Sequence, residues 1–344
     1  MITLAEIRES AERVRSIARV TPLVDVSNVA GRPLLLKCES MQPGGAFKIR
    51  GAYNMVARLT PEQRRRGVVT YSSGNHGQAM ALAARELGAP AVVVMPTTAP
   101  QIKVDGARAF GAEVIFAGTT SAERKERAER EAAARGLTMV PPFDHEWIIA
   151  GQGTLGLEIL EQCPDVDTIA VPVGGGGLLA GVAAAVKQCK PSVRVIGVEP
   201  TGAAAMKASL DAGHAVTLPK TASIADGLMP VRPGDLTFEH AQKFVDQVVT
   251  VDDDDIVDAV LWLFTKVKIV AEPSGAATVA AVLTKKLDAA GPIVAIVSGG
   301  NISLETLEEL RASRLRAVRA GAASEPRARP AFAPKALRRV RRSS

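Results

Sequence analysis

The chemistry legible in this 344-residue sequence sits in one lysine and three glycine-rich segments. Gly174, Gly175, Gly176 and Gly177 stand between an apolar run ending at Val173 and a helical pattern beginning near Leu178. Successive glycines let backbone N–H groups turn toward one point, and a helix start adds its positive dipole end. A phosphate can sit there without any basic side chain. The same segment fits a dinucleotide fingerprint at Gly175, Gly177 and Ala180, with Glu199 near the place of a ribose-binding acid. A purely structural glycine turn is the third reading. Lys48 lies in Phe47-Lys48-Ile49-Arg50-Gly51-Ala52, behind an aromatic at a loop-to-helix boundary. In an apolar cleft, desolvation lowers such a lysine's pKa and frees the amine for imine formation. Taken alone, a solvated surface lysine is the commoner outcome.

These residues need elements to hold them. Strands are predicted at Leu34–Cys38, Val68–Tyr71, Ala91–Met95, Glu113–Ala117, Thr168–Val173, Arg194–Val198 and Pro292–Val297. Helices are predicted at Leu4–Arg19, Ile49–Leu59, His76–Leu87, Ala99–Phe110, Ser121–Arg135, Leu178–Cys189, Asp254–Lys268 and Gly275–Ala290. The alternation predicts an α/β fold with parallel sheet and crossover helices. Ser72 to His76, Gly174 to Gly177 and Ser298 to Asn301 each follow a predicted strand, at the carboxyl ends where open α/β sheets bind ligands.

Composition excludes several classes. Cys38, Cys163 and Cys189 form no C-x-x-C pair and are odd in number, so neither a disulfide framework nor a zinc site is expected. The uncharged stretch from Thr168 to Val186 contains Pro172 and the four glycines, which argues for strand, loop and helix and against a membrane span. No signal peptide is read at the N-terminus, where Thr3 and Glu6 form a capping box, and a cytoplasmic protein is expected. From Arg311 onward ten arginines and Lys335 face Glu325 alone, a balance of +10, so the rest of the chain carries +6 − 10 = −4. The basic stretch is expected to lack order past about Arg319 and to be a solubilising extension, with nucleic acid disfavoured as a partner. Asp252 to Asp255 are expected to start a helix, and His145, His214 and His240 show no ligand spacing.

Taken in order, Phe47 to Ala52, Ser72 to Ala79, Val173 to Leu178, Glu272-Pro273-Ser274-Gly275-Ala276 and Ser298 to Asn301 form a set. It resembles the threonine dehydratase and serine racemase group of fold-type II pyridoxal-phosphate enzymes, over about residues 3–310. The resemblance implies two parallel-sheet α/β domains of the tryptophan synthase β type, with the cofactor in the cleft between them. Residues 1–52 plus 144–315 would form the large domain, 53–143 the small one, and 316–344 the basic tail. Lys48 is implied as the Schiff-base lysine and base at Cα, with Phe47 beside the cofactor ring. Gly174, Gly175, Gly176, Gly177 and Leu178 are implied as the phosphate cup, Asn75 as the partner of the 3′-oxygen, and Ser298 as the residue facing the pyridine nitrogen. Ser72, Ser73, Gly74 and His76 fall in the loop that holds the substrate carboxylate.

The activity implied is β-elimination of water from L-threonine or L-serine, giving a 2-oxo acid and ammonia, in a homodimer or homotetramer. Serine racemase and threo-3-hydroxyaspartate dehydratase are the alternatives within the group, favoured by the hydroxyl of Ser73, where many dehydratases have Ala. A nucleotide-dependent oxidoreductase built on the fingerprint, and a non-catalytic binding module, are the alternatives outside it. Glu199 and the backbone of Ala203 match part of a racemase-like divalent-cation site, but Ala205 replaces its other carboxylate. Arg124 aligns loosely with a substrate-contacting arginine, and a solvated helix face is the expected placement. Gly44-Gly45-Ala46 stands where the group commonly has Thr-Gly-Ser.

Overall fold

The computed structural model describes residues 1–324, except Ser73, Pro100 and the side chains of Ile102 and residues 317–324. Among the described residues ten strands build two sheets: β1 (Leu23–Asp25), β2 (Leu34–Lys37), β3 (Val68–Thr70), β4 (Ala91–Met95), β5 (Glu113–Phe116), β6 (Thr138–Met139), β7 (Thr168–Pro172), β8 (Arg194–Pro200), β9 (Gln247–Val251) and β10 (Ile293–Ile296). The six-stranded sheet runs β1-β2-β10-β7-β8-β9 and the four-stranded sheet β5-β4-β3-β6. Among the described residues only β1 pairs antiparallel; the other ladders are parallel. These are the two parallel-sheet α/β units that the resemblance implies. Every residue of β4 and of β7 is buried, as expected of strands covered on both faces by helices.

Local chemistry explains where elements begin and stop. Thr120 and Glu123 close a capping box and Gly136 takes the left-handed conformation, so the helix Ser121–Arg135 has the predicted bounds. The first helix is shorter than predicted and ends at Val14. Beyond it the chain must bring Thr21, just before Pro22, to the buried Glu39 carboxylate, with the Thr21 hydroxyl donating at 2.6 Å. The predicted helix Asp254–Lys268 is Asp253–Trp262 followed by a wider turn, Leu263–Val267, which Lys268 ends at φ 66°. The Asp252 N–H donates to the Asp255 carboxylate at 3.4 Å at its start.

Several elements lie outside the predicted set: the strands β1, β6 and β9, and helices that include Glu146–Gln162, Ala205–Ala212 and Asp235–Phe244. Glu146–Gln162 is the consequential one. It is buried almost all round and carries Gly151, Gly153 and Gly156, so no one-sided apolar stripe marks it. Those glycines let other helices approach: a Cβ at Gly151 would come within 2.6 Å of the Gly51 Cα, and one at Gly156 within 2.9 Å of the Ala185 Cβ. The helices Ile49–Ala57 and Gly177–Cys189 thus pack on a common partner. The last described helix, Leu304–Ser324, continues beyond Arg319, where order was expected to end; its Ala and Arg residues are good helix formers. The remainder of the basic tail lies outside the described residues.

Candidate active site

The chain reaches Lys48 through two tight turns after β2, Glu39–Met41 and Pro43–Gly45. Gly44 and Gly45 take φ of 77° and 75°, and a Cβ at Gly45 would overlap the Asn301 side chain. Losing the two hydroxyls of the more common Thr-Gly-Ser therefore leaves the turn intact. Ala46 then bridges Gly299, and the Phe47 N–H donates to the Ser298 carbonyl at 3.0 Å. Lys48 follows at the N-cap of the helix Ile49–Ala57. Its Nζ donates to the Pro142 carbonyl at 2.8 Å and lies 5.1 Å from the centre of the Phe47 ring. Burial pulls this amine down to about 8, with no carboxylate opposing the shift.

The glycine loop follows β7. Gly176 takes φ 94° and caps the helix Gly177–Cys189. A Cβ at Gly175 would overlap the Phe143 ring, and one at Gly176 would come within 2.8 Å of Thr237 Oγ1. The loop is thus bare because its surroundings leave no room for side chains. Among the described residues, the N–H groups of Gly174 to Leu178 donate to no protein acceptor. A ring of free donors at a helix start is a cradle for a phosphate. Leu178 itself turns into the core, buried among residues such as Leu155 and Val182. Phe143 links the loop to the lysine, because the residue before it, Pro142, holds the Lys48 amine.

Asn75 opens the helix Asn75–Glu86 after β3. Its Nδ2 donates to Glu272 Oε1 at 2.6 Å, and its Oδ1 accepts from Asn301 Nδ2 at 2.9 Å. Glu272 is buried, and burial, with Asp226 adding to it, pushes its carboxyl up to about 7. A Cβ at Gly299 would lie 3.1 Å from Asn75 Nδ2, so Asn75, Glu272 and the Ser298 turn pack together. The buried Ser298 Oγ sits 3.5 Å from the Ser274 carbonyl. Glu272 and Ser274 stand in a motif that sequence reasoning singled out without giving either residue a role.

The other candidates fall differently. The His76 imidazole is buried, with Nε2 3.1 Å from the Val140 carbonyl and Nδ1 without a protein partner. Burial, then the Lys48 charge, pull it down to about 3, so it stays neutral. What His76 and Gly74 offer a carboxylate is backbone at a helix start; Ser72 precedes them, and Ser73 lies outside the described residues. Arg124 turns inward instead of lying on a solvated face, because the Tyr71 carbonyl at the end of β3 accepts from its Nε at 3.3 Å. Glu199 is a helix cap: its two oxygens accept from Met206 and Lys207 N–H at 2.8 Å each. Burial still pushes it up to about 7. Ala203 sits in the turn Thr201–Ala203 beside it, and no group of three metal-ligating side chains occurs among the described residues. His145 Nδ1 and His240 Nε2 accept backbone N–H groups, as ordinary histidines do.

A family model described as pyridoxal-phosphate dependent enzyme matches residues 14–299. The L-threonine ammonia-lyase of Thermotoga maritima is 46% identical over 314 residues, 90% of this chain and 78% of that protein. A biosynthetic L-threonine dehydratase of Escherichia coli is 45% identical over 315 residues, 87% of this chain. The chain spans only 61% of that protein's length. The solved structure of maize serine racemase superposes with a TM-score of 0.86 at 41% identity, over 92% of this chain and 99% of that one. Among the described residues no helix is long and apolar enough to cross a membrane. The comparisons thus favour the pyridoxal-phosphate resemblance over the dinucleotide fingerprint at Gly175, Gly177 and Ala180, and the chain belongs to the family of pyridoxal-phosphate-dependent enzymes.

Proposed function

We propose that this protein is an ammonia-lyase that removes water from L-threonine and L-serine, releasing a 2-oxo acid and ammonia. The observation that carries the reading is the desolvated Lys48 amine, joined through Pro142 and Phe143 to a glycine loop with free N–H donors. The residues fit the cofactor. Gly174 to Leu178 would hold its phosphate, Lys48 Nζ its aldehyde carbon, Asn75 its phenolic oxygen, and Ser298 would face its ring nitrogen beside Phe47. Bound pyridoxal phosphate supplies an aldehyde that condenses with amines and a ring that draws electrons from Cα.

The protein's own part is positioning and proton transfer. Backbone donors at Gly74 and His76 orient the substrate carboxylate at the start of a helix. Lys48 Nζ accepts the Cα proton, a task suited to an amine with a pKa near neutrality. A serine hydroxyl, unlike a carboxylate, leaves the ring nitrogen unprotonated, which favours prompt loss of the β-hydroxyl. Loss of water across Cα–Cβ, then hydrolysis of the released unsaturated amine, converts threonine to 2-oxobutanoate and ammonia. Serine gives pyruvate and ammonia. The same reading includes a division at about residues 52 and 144, a homo-oligomer and a cytoplasmic location.

The likeness to maize serine racemase supports a second activity, racemisation, with Ser73 as the group on the opposite face of Cα. One panel tests both: L-threonine, L-serine, D-serine and threo-3-hydroxyaspartate, scored for 2-oxo acid and for enantiomer. Formation of 2-oxo acid from L-threonine, with a visible chromophore that borohydride bleaches, is the expected result. No 2-oxo acid from any of the four would end the lyase reading.

A further inference from the structure

We infer that Asp144 is a positioning residue for the glycine loop, acting through the start of the helix Asp235–Phe244. The inference rests on the reading of Gly174 to Gly177 as the loop that holds the cofactor phosphate. The helix Asp235–Phe244 has Gly234 at its N-cap and no capping side chain of its own. Asp144, 91 residues earlier, supplies one: Oδ2 accepts from the Asp235 N–H at 3.0 Å, and Oδ1 from Leu236 at 3.0 Å and Thr237 at 3.2 Å. Three of the four N–H groups that a helix start leaves unpaired are thereby taken up by one carboxylate. Gly234 is what admits it, because a Cβ there would overlap the Asp144 carboxylate.

The helix start so fixed holds the loop. Thr237 Oγ1 donates to the Gly175 carbonyl at 2.7 Å, and the Gly234 N–H reaches the same oxygen at 3.3 Å. A planar trans peptide carries its C=O and N–H on opposite sides. Tying the Gly175 oxygen to this helix therefore turns the Gly176 N–H away from it, among the donors available to a phosphate. On the other side the Phe143 ring leaves no room beside Gly175. Pro142, Phe143 and Asp144 thus hold, in sequence, the lysine amine, one flank of the loop and the helix that orients the loop's carbonyl.

This role has a sign that separates it from simple electrostatics. A carboxylate acting on a phosphate by charge alone repels it, so its removal would tighten cofactor binding. A positioning carboxylate does the opposite. Full-length protein stripped of cofactor is titrated with pyridoxal phosphate and, separately, with phosphate-free pyridoxal. Asp144→Ala should weaken pyridoxal phosphate binding about fivefold to tenfold, the scale of a lost helix cap, and leave pyridoxal binding unchanged. Asp144→Asn, which keeps one acceptor oxygen, should recover part of the loss. Thr237→Val removes the hydroxyl that reaches the Gly175 carbonyl at 2.7 Å and the Gly234 carbonyl at 3.1 Å, and should shift the same ratio in the same direction; it decides the matter if Asp144→Ala does not fold.

Tighter binding of pyridoxal phosphate, or an equal loss for both ligands, overturns the inference. Gly175→Ala separates it from the reading beneath it. If Gly175→Ala lowers the ratio and the Asp144 and Thr237 variants do not, Asp144 has no such role. If Gly175→Ala also leaves the ratio unchanged, the glycine loop does not hold the phosphate, and both readings fall.

Discussion

Lys48 and Arg50 lie two residues apart at the start of one helix, yet their cationic groups have opposite electrostatic surroundings. Arg50 is fully buried and meets two carboxylates: Nε donates to Glu39 at 2.7 Å and Nη1 to Glu158 at 2.6 Å. Burial alone would lower its pKa, but Glu39 and Glu158 more than offset that, so it is raised and the charge is permanent. Lys37, also buried, shares Glu158 at 2.8 Å, and the group of two cations and two carboxylates has no net charge. Among the described residues Lys48 has one hydrogen-bond acceptor, the neutral Pro142 carbonyl, and burial depresses it unopposed. A cation paired with carboxylates serves as an anchor, whereas one held with a neutral acceptor is ready to give up its proton. The neutral group beside Lys48 holds the helix without tethering the amine's charge.

The sharpest way to break this comparison is to remove each cation in turn. Lys48→Ala should lower turnover by about six orders of magnitude, the scale seen when a nucleophile is deleted, with no loss of thermal stability. Retention of activity within about a hundredfold would place the essential amine elsewhere. Arg50→Met should do the reverse in kind, since it strands Glu39 and Glu158 in the interior. A cost of about 3–5 kcal/mol is expected, read as a lower urea midpoint at unchanged slope. A loss below about 1 kcal/mol, typical of an exposed pair, would mean that water reaches the carboxylates and that no anchor exists.

This division was only partly legible in the sequence. The strand Ala91–Met95 and the helix Ser121–Arg135 were readable to the residue, the first as an unbroken apolar run and the second from Thr120, Glu123 and Gly136. Lys48 gained weight from the ordered motifs around it, because its own flanks suit a surface lysine equally well. The Arg50 anchor left no local signal: Glu39 lies 11 residues away and Glu158 lies 108, on a helix whose uniform apolarity hid it. Asp144 likewise carries no local signal, since the N–H groups it caps come 91 to 93 residues later. Glu272 was visible within a motif, but its raised pKa arises from burial and from Asp226, against the opposing hydrogen bond from Asn75, and only the folded chain brings these together.

The subtlest consequence of an unpaired amine is a slope of stability with pH in the cofactor-free protein. Unfolded, Lys48 has the ordinary value of 10.5; folded, it is near 8. Below about 8 both states carry the proton, so this group adds no slope, although the folded state bears the full desolvation penalty. Between about 8 and 10.5 the folded protein sheds the proton while the unfolded chain keeps it. The unfolded state then binds more protons, so stability rises with pH. Lys48→Met removes the group, so the variant should be the more stable protein at about pH 7, and the gap should narrow as pH climbs through about 8 to 10. Urea midpoints of the two proteins across that range measure it. On the proposed assignment the cofactor occupies this amine, so loading with it should abolish the slope in the wild type. A gap that stays constant or widens would mean that Lys48 is well solvated or paired, and its contrast with Arg50 would disappear.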